Sequence, residues 1–196
     1  MPRPRTHDEA LRVRLLDRAG ELLSNEGAAA LSLRRLAADA GTSTTAVYSL
    51  FGGKPALMRE LYVEAFRRLG THLRAVTPTG DPAEDLIQLG LAYRTSALAD
   101  PHLYSIMFGA ALPGFEPDES AAEQSRAALS PLLEVIETGV HTGIFTDPHN
   151  TMAVGCWGIV HGLVSLELCG SLPPDLDTTT AYEHSLRANV RGWSNR

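Results

Sequence analysis

Apolar side chains recur at helical spacing along most of the chain. Leu11, Leu15, Ala19 and Leu22 share one face and predict a first helix over about His7 to Asn25, ending near Gly27. Ser32 is placed to cap a second helix, with Leu31 and Leu36 as a hydrophobic staple across it. That helix carries Leu33, Leu36 and Ala37 inward and stops at Ala40-Gly41, where glycine accepts the positive φ of a sharp turn. Thr42 or Ser43 caps a third helix reaching about Leu50. Gly52-Gly53 breaks it, and Pro55 in a first turn opens a long fourth helix to about Val76.

The stretch Thr77-Pro78-Thr79-Gly80-Asp81-Pro82 is turn chemistry throughout. Asp81, Pro82 and Glu84 start a fifth helix that runs to about Asp100. A short sixth helix follows from about His102 to Ala110, then a loop from Leu112 to Pro117. Further helices are expected over about Asp118 to His141, Asn150 to Cys169 and Thr178 to Trp193. No sustained alternation of Val, Ile, Thr and aromatics appears. The expected fold is all-α, with about nine helices.

A hydrophobic share of 44% and a charged share of 20% suit a globular chain able to bury a core. The net charge of −6 argues against nucleic acid until its distribution is read. Residues 1–75 hold 12 Arg and Lys against 8 Asp and Glu, whereas residues 76–196 hold 5 against 15. A basic head on an acidic body fits a protein that meets phosphate at one end only. The charged N-terminal stretch lacks the apolar core of a secretory signal. The longest apolar run, Met152 to Leu166, is shorter than the ~20 residues a bilayer needs. A cytoplasmic protein with no membrane partner is expected, with Cys156 and Cys169 as core thiols too far apart on one helix to pair.

Ser32 to Lys54 carries the most specific chemistry. A short glycine-containing connection sets two helices at a steep angle, as in helix-turn-helix units that place the second helix in the major groove. That helix is rich in small hydroxyl residues, including Ser43, Thr44 and Thr45, which can approach phosphates, donate to base edges or press a methyl on thymine. Tyr48 offers a phenol from the same helix while Val47 and Phe51 face the core. Lys54 adds a cation beside the amides that open the next helix. Arg34 and Arg35 on the second helix, and Arg3 and Arg5 in the N-terminal arm, are further candidate phosphate contacts.

Residues 10–58 resemble the N-terminal domain of tetracycline-repressor-like (TetR-like) regulators. The resemblance lies in the helix ending at Gly27, the Leu36-Ala37…Ala40-Gly41-Thr42-Ser43 turn, and Val47-Tyr48-x-x-Phe51-x-x-Lys54-x-x-Leu57. It implies that Tyr48 and Lys54 bind phosphate and that Thr44, Thr45 and Ala46 help to read bases. Many relatives carry His where Leu50 stands; leucine cannot donate to phosphate, so that contact is expected to be missing or replaced. The resemblance also implies two domains: a helix-turn-helix DNA-binding domain over residues 1–52, and an effector-binding and dimerisation domain over 53–196. The run Trp157-Gly-Ile-Val-His161-Gly162 looks like the signature of a Trp-His-Gly subgroup of the C-terminal domain, and Tyr93-Arg94…Asp100-Pro101 to Phe108 fits it as well.

The penultimate helix is apolar around most of its circumference, as a buried helix should be. Gly155, Gly158, Gly162, Ser165 and Cys169 form a stripe of small side chains along it, and Tyr182, Leu186, Val190 and Trp193 share one side of the last helix. Two such helices from each of two chains would make a four-helix dimer interface. An effector pocket between the fifth and eighth helices would be lined by Tyr93, Ser96, Met107, Phe108, Phe115, Ile136, Trp157 and His161. Glu167, on the same apolar helix, needs a partner if buried.

The chain has no Gly-rich phosphate loop, no Gly-x-Ser-x-Gly elbow, no His-Glu-x-x-His, and no metal-ligand spacing among its 7 histidines. No enzyme, cofactor or metal site is expected. The expectation is a homodimeric regulator of a palindromic double-stranded operator, acting as a repressor and released by a small-molecule effector. The alternative is a helical dimeric sensor that has lost specific DNA binding.

Overall fold

The computed structural model describes residues 5–108, 115–146 and 148–194. These form α1 (Arg5–Glu26), α2 (Leu33–Asp39), α3 (Thr44–Phe51), α4 (Lys54–Arg74), α5 (Pro82–Ala99), α6 (Pro101–Met107), α7 (Glu119–Ala128), α8 (Ser130–His141), α9 (His149–Leu168) and α10 (Thr178–Trp193). Among the described residues there is no strand, only an isolated bridge between Phe145 and Ser194.

The ends of these helices follow local side-chain chemistry. Ser32 Oγ accepts from Arg35 N, Ser43 Oγ from Ala46 N and Asp81 Oδ1 from Ala83 N, so each satisfies an amide that its helix leaves open. Asp177 does the same for Thr179 N and Thr180 N. The α2–α3 turn closes as a Schellman motif: Thr42 N donates to Ala37 O and Gly41 N to Ala38 O, with Gly41 at φ 65°.

There are ten helices rather than nine among the described residues. The stretch expected as one helix from Asp118 to His141 breaks between Ala128 and Ser130. Pro131 has no amide hydrogen to continue the ladder, and its ring excludes the carbonyl of Ala127 from the usual bond. That carbonyl accepts instead from Arg74 Nη2 at 3.1 Å.

Two compact units divide the chain. Among the described residues the first runs to Phe66 and takes in Pro101–Ser125; the second comprises Arg67–Asp100 and Arg126 onward. The division differs from the one expected at residue 52, because α4 continues past it without interruption. The helix lends Leu57, Leu61 and Ala65 to the core of the first unit, and Leu69 and Leu73 to that of the second. α6 joins the first unit by packing on α1. A Cβ at Gly20 would stand 3.5 Å from Leu103, and Ser24 Oγ lies 2.8 Å from Ser105 Oγ.

In the second unit α5, α8, α9 and α10 pack together. At 20 residues, α9 is longer than the apolar run that predicted it, and it is long and apolar enough by composition to cross a membrane. Its buried face of Met152, Cys156, Val160 and Val164 and its paired Glu167 are those of a bundle helix.

Candidate functional site

The outward face of α3 is the clearest site in the first unit. Val47 and Phe51 are buried and anchor the helix, which turns Thr45, Tyr48 and Ser49 to solvent; Tyr48 is 54% exposed. Ser43 is exposed and uses its hydroxyl as the cap, while Thr44 is half-buried. Ala46 and Leu50 are half-buried and pack against the hydrophobic core, so Ala46 is less available to a base than expected and Leu50 offers apolar surface and no donor.

Two expected phosphate ligands are engaged within the chain. Arg35 forms two hydrogen bonds of 2.7 Å to Glu26, which hold that carboxyl below the usual range. Lys54 Nζ donates to Ala28 O at 2.8 Å and so pins the α1–α2 loop to the start of α4. Arg34, one position away from Arg35, is exposed and has no ion-pair partner among the described residues. Arg3 lies outside the described residues, and Arg5 is the first residue of α1.

The second unit holds a cavity between α5, α8, α9 and α10. Leu86, Leu89, Gly90, Tyr93, Val160 and Leu186 form buried parts of its wall; Leu129, Leu132, Trp157 and Ile159 are half-buried and flank its mouth. Its volume is about 40 Å³, a few times the ~10–15 Å³ that holds one water. Tyr93 and Trp157 are among its lining residues, and His161 sits behind them with Nδ1 3.5 Å from the Tyr93 hydroxyl. Burial lowers the pKa of His161. It also pushes the Cys156 thiol up to about 11.

The other expected lining residues lie elsewhere. Ile136 is fully buried in the core, and Ser96 stands beyond the cavity toward the end of α5. Met107, Phe108 and Phe115 belong to the first unit, where Phe108 and Phe115 join an aromatic cluster with Tyr62, Phe66 and Tyr104. Helical periodicity marked them as apolar without saying which core they enter.

Comparison with known proteins fixes the family. Residues 15–61 match the family of bacterial regulatory proteins named for TetR, and residues 86–189 match the tetracyclin repressor-like C-terminal domain. The chain belongs to the TetR family. The C-terminal match carries that general description rather than the Trp-His-Gly subgroup. The HTH-type transcriptional regulator Rv1816 of Mycobacterium tuberculosis is 27% identical over 140 residues, 69% of this chain. The chain spans 59% of the length of that relative. The crystal structure of the regulatory protein SCO4313 superposes with a TM-score of 0.79 at 28% identity, covering 96% of this chain and 98% of that one. NalD, the secondary repressor of the MexAB-OprM multidrug efflux pump in Pseudomonas aeruginosa, shares the fold, with a TM-score of 0.70 at 23% identity over 97% of this chain and 98% of its own. The curated relatives are transcriptional regulators, and this chain carries the DNA-binding domain of that family.

Within this TetR-family chain the last helix faces a different way from the one expected. Tyr182, Leu186 and Val190 are buried within their own unit, with Tyr182 OH donating to Gly90 O at 2.9 Å and Leu186 seated over Gly90. They cannot also meet a partner subunit. Trp193 covers Gly155, where a Cβ would come within 2.5 Å of its ring. These small and large residues complement each other inside one chain. Gly158 and Gly162 are different: a Cβ on either would meet nothing within 4 Å. Together with Val154 (68% exposed), half-buried Ser165 and Leu166 they make an open apolar strip along α9. Cys169 ends that helix as an exposed C-cap rather than a core thiol.

One ion pair was only half legible. Glu167 needs a partner by its place on an apolar helix, and that partner is Arg94, whose Nε and Nη2 donate to its carboxylate at 2.7 and 2.6 Å. The arginine lowers the pKa of Glu167.

Proposed function

We propose that the chain is a homodimeric one-component repressor, released from its operator by a small-molecule effector bound in the second unit. The observation that carries the reading is α3, held by Val47 and Phe51 with Thr45, Tyr48 and Ser49 directed outward. Small hydroxyl side chains next to a phenol suit a helix lying in a major groove. The bases are read by Thr45 with Thr44 and Ser43 at the helix start. Phosphates are met by Tyr48, Arg34, Arg3 and Arg5, with Lys54 and Arg35 contributing only after giving up internal bonds.

Dimerisation through Val154, Gly158, Gly162, Ser165 and Leu166 on α9 supports paired recognition of a palindrome with half-sites ~34–36 Å apart. Cys169 lies at the end of the same helix. An effector acts by binding one arrangement of the dimer more tightly than the other. Tyr93, Trp157 and His161 are the polar and aromatic groups it meets first. A cytoplasmic location follows from this function.

Electrophoretic mobility shift on the DNA upstream of the gene tests it. A dimer should bind a palindrome there with affinity falling steeply between low and high salt. Equal binding to scrambled DNA favours the second reading, a dimeric helical sensor without an operator. Leu50, an apolar side chain packed against the core, and Lys54 bonded to Ala28 are the observations on its side.

A further inference from the structure

The cavity in the second unit is informative about what it admits. None of its lining residues carries a charged side chain. Charged residues on neighbouring turns are already engaged: Arg94 with Glu167 at 2.6 Å, Arg187 with Glu84 at 3.0 Å and Glu183 at 2.8 Å, and buried Asp85 with the amide and hydroxyl of Thr79 at 2.6 and 2.7 Å. The polar lining groups are neutral. Asn189 Oδ1 accepts from Trp193 Nε1 and from Cys156 Sγ, and the Tyr93 hydroxyl faces the His161 imidazole. This set gives a hydrogen-bonding handle and no counter-charge. An ion brought here exchanges its hydration for aliphatic carbon, a transfer that strongly disfavours the charged form.

Size is set by one contact. The Leu186 side chain fills the notch over Gly90, its Cδ1 only 2.7 Å from where a Cβ at residue 90 would stand. Rotating or shortening it extends the space inward. Apolar cavities of roughly 150 Å³ stay dry and take up benzene-sized guests.

We propose that this cavity takes a compact, uncharged, largely apolar effector and excludes the anion and the cation of the same carbon skeleton, with Leu186 setting the size limit. The proposal deepens the effector-binding reading and rests on it.

Trp157 lines the cavity, and the chain has 2 tryptophans, so W193F leaves Trp157 as the sole reporter. The full-length W193F protein is titrated with benzyl alcohol, benzoate and benzylammonium, one skeleton in three charge states. Benzyl alcohol should shift Trp157 emission saturably and bind at least tenfold tighter than either ion. Leu186→Ala should tighten benzyl alcohol binding at least fivefold, and the milder Leu186→Val should move it the same way if Leu186→Ala fails to fold. Benzoate or benzylammonium binding as tightly as the alcohol overturns charge exclusion and leaves effector binding standing. No saturable response to any of the three, with or without a shortened Leu186, overturns both.

Discussion

Arg94 on α5 and Glu167 on α9 meet in a two-bond fork whose side chains are only 15% and 17% exposed. The same guanidinium donates to Thr178 Oγ1 at 3.3 Å and lies 5.5 Å from the Tyr182 ring centre, so one side chain ties three helices together. Glu167→Gln should therefore lower the unfolding free energy by roughly 2 kcal/mol, less than for a fully buried pair broken on one side. Because the folded pKa of Glu167 lies below the ordinary 4.5, this contribution is present above pH 4.5 and lost as the pH falls through the folded value. Urea melts of wild type and Glu167→Gln should differ at pH 7 and converge in acid.

The head offers a second measurement. Arg34 is exposed and Arg35 is held by Glu26. Arg34→Ala should reduce the slope of log affinity against log salt by about 0.9, the value of one phosphate contact on duplex DNA. Arg35→Ala should reduce it by clearly less. Equal slopes for the two variants would contradict the internal pairing of Arg35 in the complex.

Gly90 and Leu186 should behave as one unit. Gly90→Ala places a methyl against the Leu186 side chain and should cost about 1–3 kcal/mol by overpacking. Leu186→Ala alone should cost about 2–5 kcal/mol through the space it leaves. The double variant should be at least ~1 kcal/mol more stable than the two losses added together, since each change relieves the other. Denaturant melts of the four proteins give the cycle directly.

Val154→Glu tests the strip on α9. Val154 is exposed in the single chain, so its replacement should leave that chain's stability within about 0.5 kcal/mol. Placed against its counterpart in a dimer, the same carboxylate would be desolvated beside a like charge. Sedimentation should show a monomer at concentrations where wild type is dimeric, with an unchanged far-ultraviolet spectrum.

The sequence was informative where structure is decided locally. Ser32, Ser43 and Asp81 cap the helices that their side chains suggest, and Gly41 turns the chain as its freedom at positive φ permits. Thr45, Tyr48 and Ser49 stand on the exposed face of α3, opposite buried Val47 and Phe51. What periodicity could not decide is which neighbour a stripe meets. The apolar side of α10 was expected against a partner subunit, whereas Gly90 admits Leu186 to the chain's own α5. Phe108 and Phe115 could have joined either core and entered that of the first unit. Pro131 was visible as a residue that interrupts helices; Arg74, which takes up the carbonyl freed there, comes from 53 positions earlier.

The internal pairing of the head's cations also bears on how the protein searches a genome. Arg12, Arg18, Arg35 and Arg59 are matched by Glu60, Asp39, Glu26 and Asp118. Random DNA attracts proteins mainly through the counterions their free cations displace. A head that has neutralised four of its arginines gains less from such encounters, and the acidic body repels the backbone further. Fewer copies are held on the vast excess of irrelevant sites. In the repressor proposed above, discrimination would then rest on the few uncharged groups of α3.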